Sequence, residues 1–178
     1  MPHLQPQTWN RTVDATTFII STDTSLISRD FVLKAFETPE MYWTGPVPPD
    51  QLDILLEHGC NFGLYIQHSA DPKTGNNPTL EQIGMARLMT DYVTTAYLTD
   101  VYVVPSQQGK GLGIWLISCI NEVVSAIPKL RRFLLLTGKK GPAVKFYERE
   151  LGMSGTGLDE DGLVCMVRKG AGAGNPHH

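Results

Sequence analysis

An α/β (α+β) fold built on one mixed sheet is what the order of patterns along this chain predicts. Three observations carry the prediction. Runs rich in β-branched and aromatic residues recur through residues 62–104. Apolar residues at helical spacing (Ile114, Ile117, Ile120, Val124, Ile127) follow directly from a glycine-rich turn. Phe133-Leu134-Leu135-Leu136-Thr137 is then nearly all apolar, as expected of a strand buried on both faces.

Taken in order, Phe18-Ile19-Ile20-Ser21-Thr22 reads as a first strand ending in a polar turn. Ser25 is a candidate N-cap for a helix whose Leu26, Ile27, Phe31, Val32 and Phe36 share one face. Prolines and a glycine bar Pro39–Pro49 from being a regular helix, so it reads as a loop carrying Tyr42 and Trp43. A second helix follows from Asp50 to about His58, with Leu52, Ile54 and Leu55 on its apolar side. Phe62–Gln67 and Gln82–Met89 read as strands joined by a turn over Asp71–Pro78. Thr94–Val104 is a long third strand of this group, stopped by Pro105. The glycine turn opens a helix from about Gly111 to Ala126, which Pro128 ends. After the strand at 133–137, Pro142 opens a helix to Glu150, and Gly162–Arg168 is the last strand.

Composition narrows the function classes. The chain has 178 residues, 42% hydrophobic and 19% charged, as in a globular protein of one domain. A net charge of −3 disfavours nucleic acid or an anionic membrane as partner, since both are held by excess positive charge. The N-terminus lacks the basic start and apolar run of a signal peptide, and no stretch of about 18 apolar residues exists to span a membrane. Cys60, Cys119 and Cys165 form no paired motif, which predicts neither zinc site nor disulfides and a reducing, cytoplasmic compartment. The small residues of 170–178 read as a flexible tail beyond a single domain at 1–169.

The informative stretch is a strand, then Pro105-Ser106-Gln107-Gln108-Gly109-Lys110-Gly111-Leu112-Gly113, then a helix. A helix N-terminus offers free N–H groups and the positive end of the dipole, and glycines let backbone approach an anion. Together they make a phosphate or pyrophosphate cradle. The P-loop pattern fails because Gly111, and not Ser or Thr, follows Lys110. The dinucleotide pattern fails because Ile114 stands where its third glycine belongs, and no acidic residue occupies the expected region at 128–132.

The string Val101-Tyr102-Val103-Val104-Pro105 with Gln108-Gly109-Lys110-Gly111-Leu112-Gly113 resembles the Q/R-x-x-G-x-G/A signature of the GCN5-related N-acetyltransferases. The segment Leu134–Thr137, Ala143-Val144-Lys145-Phe146-Tyr147-Glu148 and Leu151-Gly152-Met153 resembles that family's second motif. The resemblance covers about Phe62 to Arg168. It implies a mostly antiparallel sheet splayed between the strands at 94–104 and 133–137 and flanked by helices. It also implies an acetyl-CoA-dependent N-acetyltransferase acting by direct attack of a primary amine, without a metal. The acceptor reads as a small molecule, with a protein lysine or N-terminal amine as the alternative within the class. A non-catalytic acyl-CoA-binding regulatory module is the alternative outside it. A homodimer is common in the family.

Carried over by position, the resemblance puts main chain of Val103 and Val104 on the pantetheine amides and Gln108, Gly109, Lys110, Gly111, Leu112, Gly113 and Ile114 around the pyrophosphate. It adds Thr137, Ala143 and Phe146 to the cofactor side and makes Tyr147 the proton donor to the leaving thiolate, against the alternative that Tyr147 merely packs beside Phe146. Asp100 has two readings of equal weight: a general base, or the partner of Arg87, since a carboxylate in an apolar strand is costly unless paired. Asp91 is a third base candidate that reads more simply as a turn residue. Tyr42, Trp43, Arg87 and Asp100 form the expected acceptor wall, with the aromatics stacking on a cation or an aromatic amine; alternatively Trp43 plugs the core. His58 and His68 read as surface residues.

Overall fold

The computed structural model describes residues 5–69, 77–138, 141–158 and 162–173. Among these it forms β1 (Thr8–Val13), β2 (Thr16–Ser21), α1 (Arg29–Phe36), α2 (Pro49–Glu57), β3 (Cys60–His68), β4 (Thr79–Thr90) and β5 (Thr95–Val103). There follow α3 (Leu112–Ser125), β6 (Arg132–Gly138), α4 (Ala143–Leu151), β7 (Ser154–Leu158) and β8 (Leu163–Lys169). The strands hydrogen-bond in the order β1-β2-β3-β4-β5-β6-β8-β7. Pairs β1/β2, β2/β3, β6/β8 and β7/β8 are antiparallel. The β5/β6 pair is parallel and runs only from Thr95–Leu98 against Arg132–Leu135 before it stops, the splay expected between these strands.

Two strands escaped the sequence reading, β1 and β7, and they are the two edges of the sheet. Thr8-Trp9-Asn10-Arg11-Thr12-Val13 is mostly exposed, and Ser154-Gly155-Thr156-Gly157-Leu158 holds two glycines. β1 has no buried residue and Ser154–Thr156 of β7 are exposed, so neither stretch gives a period-two signal; each strand is held by its neighbour's ladder. The first helix also starts later than expected. Ser25 belongs to a single 3-10 turn and donates to the Asp23 carboxylate, while Ser28 caps α1 by accepting from the Phe31 N–H at 3.2 Å. The predicted turn at Asp71–Pro78 falls mostly outside the described residues.

By its contacts the chain divides into two compact units. The first joins the chain up to Arg87 with Asp100–Leu116. Its core sets Val32, Ala35 and Phe36 of α1 and Leu52 and Leu56 of α2 against Met41, Met85 and Tyr102. Leu56, not Ile54, is the second buried residue of α2; Ile54 is 56% exposed.

The second unit joins Leu88–Thr99 with the chain from Ile117 onward. Here Phe133 and Leu135 of β6 and Met166 of β8 are buried, whereas Leu136 is 51% exposed, so β6 is not buried on both faces. An all-apolar run hid an ordinary alternation. Arg168 binds this unit together. Its Nη1 donates to Asn121 Oδ1 at 2.7 Å and to the Leu151 carbonyl at 3.1 Å, and its guanidinium lies 5.3 Å from the Phe133 ring centroid. Beyond β8 the chain stays docked. The Gly170 and Gly172 N–H groups donate to the carbonyls of Arg131 and Leu130 at 3.2 and 2.7 Å. A Cβ on Gly170 would lie 2.3 Å from the Leu130 carbonyl oxygen, and one on Gly172 would lie 2.2 Å from that of Lys129. The small residues read as a loose tail are therefore, through Ala173, what permits this close approach; 174–178 lie outside the described residues.

Candidate active site

Strand β5 ends at Val103, and Val104 ties the following turn to β4 by donating its N–H to the Ile83 carbonyl at 2.9 Å. Pro105–Gln107 makes one 3-10 turn, closed by the Gln107 N–H donating to the Val104 carbonyl at 2.9 Å. The Gln108 side chain turns back, its Nε2 donating to the Val103 carbonyl at 2.8 Å. Strand alternation accounts for this: with Val104 bonded toward β4, the amide groups of Val103 point to the other side. Of the two residues expected to meet pantetheine, Val103 therefore keeps its polar groups off β4, and Val104 has its N–H committed.

Gly109 and Gly111 have φ of 80° and 73°, the left-handed region that favours glycine. Gly113 does not; it lies in the first turn of α3, whose Trp115 N–H donates to the Gly111 carbonyl at 3.1 Å. The N–H groups of Leu112, Gly113 and Ile114 precede that bond and so have no acceptor four residues back in the helix. A Cβ added at Gly109, Gly111 or Gly113 would meet nothing within 4 Å, so open space lies over all three. Lys110 is exposed and its Nζ donates to Gln107 Oε1 at 2.7 Å. Gln107 had no sequence signal of its own. The turn is thus an open rim of glycine backbone and free helix N–H groups, with one ammonium beside it.

A second group of predicted residues meets elsewhere in the same unit. Asp100 is a bulge-like irregularity in β5: its φ is 53°, and it is buried. Its Oδ2 accepts from Arg87 Nε at 2.6 Å and its Oδ1 from Trp43 Nε1 at 3.3 Å. Both side chains of the ion pair are nearly buried, and removing one partner of such a pair costs roughly 3–5 kcal/mol. Arg87 Nη1 also reaches the Leu55 carbonyl at 3.5 Å, in the last turn of α2. Of the two readings of Asp100, the pairing with Arg87 is the one realised in the geometry. Trp43 does not plug the core. Met41 fills that place at 1% exposure, while Trp43 and Tyr42 are 47% and 69% exposed and pack edge to face at 5.1 Å.

The remaining predicted residues belong to the second unit. Thr137 is half-buried on β6, opposite Val164 of β8. Ala143 begins α4, and Phe146 and Tyr147 sit midway along it, edge to face at 5.2 Å. Burial pushes the Tyr147 hydroxyl up to about 12, so it is fully protonated at neutral pH. Asp91 closes the β4–β5 turn, accepting from the N–H groups of Val93, Thr94 and Thr95 and from the Thr94 hydroxyl; these bonds hold its carboxyl far below the usual range. It is a turn residue. His68 pairs with Glu81 at 2.8 Å on the exposed ends of β3 and β4, and the His58 N–H caps α2. No three His, Cys, Asp or Glu side chains among the described residues are grouped to hold a metal ion.

Residues 33–153, more than half of the chain, match the family model described as the Acetyltransferase (GNAT) family. The chain belongs to the GNAT acetyltransferase family. A Gibberella zeae protein provisionally named an acetyltransferase is 36% identical over 156 residues, 84% of each chain. Among solved structures, a GNAT-family protein of Xanthomonas campestris pv. campestris is similar at 27% identity and a TM-score of 0.57, over 74% of this chain and 81% of that one. The Vibrio cholerae spermidine N-acetyltransferase, solved with CoA and spermine, shares the fold at a TM-score of 0.60 and 17% identity, over 93% and 95% of the two chains. As a GNAT acetyltransferase the protein is an acyl-CoA-dependent transferase, and the family uses acetyl-CoA. Among the described residues no helix is long and apolar enough to cross a membrane.

Proposed function

We propose that this GNAT protein transfers an acetyl group from acetyl-CoA directly to the primary amine of a small molecule. The observation that carries the reading is the open glycine rim at the start of α3, where left-handed Gly109 and Gly111 and the free N–H groups of Leu112, Gly113 and Ile114 suit a pyrophosphate. Gln108 and Lys110 would flank it, and the outward N–H of Val103 would pair with an amide of the pantetheine arm. When bound, acetyl-CoA supplies an acyl group activated as a thioester.

The chain's own residues would then do three things. Tyr147 keeps its proton at Oη to high pH and can release it to a departing anion. The exposed faces of Tyr42 and Trp43 offer a wall on which a cation or an aromatic ring can rest. Arg87 and Asp100 hold that wall's base. The Vibrio cholerae neighbour, whose structure holds spermine, supports a small amine as one acceptor class. Three free cysteines, all described, suit a reducing compartment such as the cytoplasm.

Calorimetric titration with acetyl-CoA, CoA, ATP and NAD tests the reading without knowledge of the amine. Micromolar binding of acetyl-CoA and CoA alone, weakened in Gly111→Val, is the expected result. Folded protein that binds neither would remove the support for catalysis. Release of free CoA on adding amines then separates an enzyme from a regulatory module that binds acyl-CoA without turnover.

A further inference from the structure

We infer that Asp100 is a positioning residue that latches the acceptor loop, and that it is not the base of the reaction. The catalytic consequence rests on the acyltransferase reading; the latch itself does not. One carboxylate joins three parts of the first unit. Through Oδ2 it takes Arg87 of β4, which also reaches the Leu55 carbonyl of α2, and through Oδ1 it takes the indole N–H of Trp43. The left-handed backbone at Asp100 interrupts the regular strand conformation at the residue where these bonds converge. Asp tolerates that conformation better than most side chains.

Trp43 needs such a tether. It lies between Met41, which is buried, and the stretch Gly45-Pro46-Val47-Pro48, which has no regular secondary structure. Near the ring the backbone is fastened by the Thr44 N–H donating to the Met41 carbonyl at 3.0 Å. With half its ring in solvent, the indole would otherwise sample several rotamers. Held by Asp100, it presents one face beside Tyr42. Both oxygens of this carboxylate are already engaged, one by a guanidinium and the other by an indole.

The test compares the wild type with Asp100→Asn, Trp43→Phe and the double variant. Asparagine keeps the shape and tolerates the left-handed backbone; phenylalanine keeps a ring and removes the N–H. The first readout is the Trp43 indole N–H resonance, assigned by its loss in Trp43→Phe, with hydrogen exchange of residues 41–45. In Asp100→Asn the resonance should shift and loop exchange should quicken. The second readout uses 2-phenylethylamine as the probe amine. Both single variants should raise its KM by about threefold to tenfold, the scale of one lost hydrogen bond. Turnover at saturation and the acid limb of its pH profile should stay, and the double variant should be no worse than Asp100→Asn.

An unmoved resonance and unchanged loop exchange in Asp100→Asn overturn the latch. A turnover loss of about a hundredfold with disappearance of the acid limb, the signature of a missing general base, overturns the positioning role. Should the wild type not acetylate this probe, the resonance and exchange decide alone. Titration with acetyl-CoA is run on every variant: failure to bind in all of them sinks the acyltransferase reading and leaves the latch result standing.

Discussion

Burial of Tyr147 fixes the sign of two pH effects. Its folded pKa of about 12 lies above the usual value for tyrosine of about 10. The stability this burial carries is therefore whole below pH 10 and is lost as the pH rises toward 12. Thermal melts should show a fall in Tm across that window, smaller in Tyr147→Phe. For the same reason the proton on Tyr147 sets no alkaline limb on turnover below pH 10. Tyr147→Phe should cut turnover about tenfold or more while leaving acetyl-CoA affinity unchanged in calorimetry; an unaltered rate would take Tyr147 out of the chemistry. Asp91 behaves with the opposite sign. Its depressed carboxyl favours the folded state above the ordinary carboxylate range, and that contribution fades as pH falls through its folded value. Asp91→Asn should lower Tm at pH 7 and somewhat less at pH 3, and the gap to the wild type should close only as the pH falls on through the folded value.

Among the elements, the start of α3 separates two kinds of glycine. Alanine at Gly109 or Gly111 must adopt positive φ, at a cost of about 1–2 kcal/mol for each residue. Alanine at Gly113 is unstrained and adds a methyl to open space, in a helix it favours. Gly113→Ala should therefore hold or raise stability in urea melts, and any loss of acetyl-CoA binding by it reports contact with the ligand itself. The sequence showed the turn but not this division, since spacing alone gives three equivalent glycines. Legibility followed burial elsewhere as well. Strands with a buried apolar face, β3 to β5, were readable from their residues, whereas β1 and β7 are defined by partners and not by their own pattern. At the site, Gln108–Gly113 was readable because its residues are consecutive. The Arg87–Asp100–Trp43 contact was foreseen only in its first half: Trp43 is 57 residues from Asp100, and nothing local predicts left-handed backbone inside a strand.

Arg168 and strand β8 bear on the molecule as a whole. Arg168 meets α3, α4 and β6 at once, so Arg168→Ala leaves a carbonyl and an amide oxygen short of a donor. A loss of about 1–3 kcal/mol in urea unfolding is expected, with Arg168→Lys recovering only part of it because lysine lacks the planar fork. Strand β8 has a further consequence, for the order of assembly during synthesis. It follows β7 in the chain, yet it lies between β7 and β6. A ribosome delivers β6 and β7 first, and neither can pair with the other. Both wait with an open strand edge until residues 163–169 emerge to bridge them. Chains cut short just before β8 thus lose the middle of this part of the sheet, and they are the products to expect in aggregates and in the hands of chaperones.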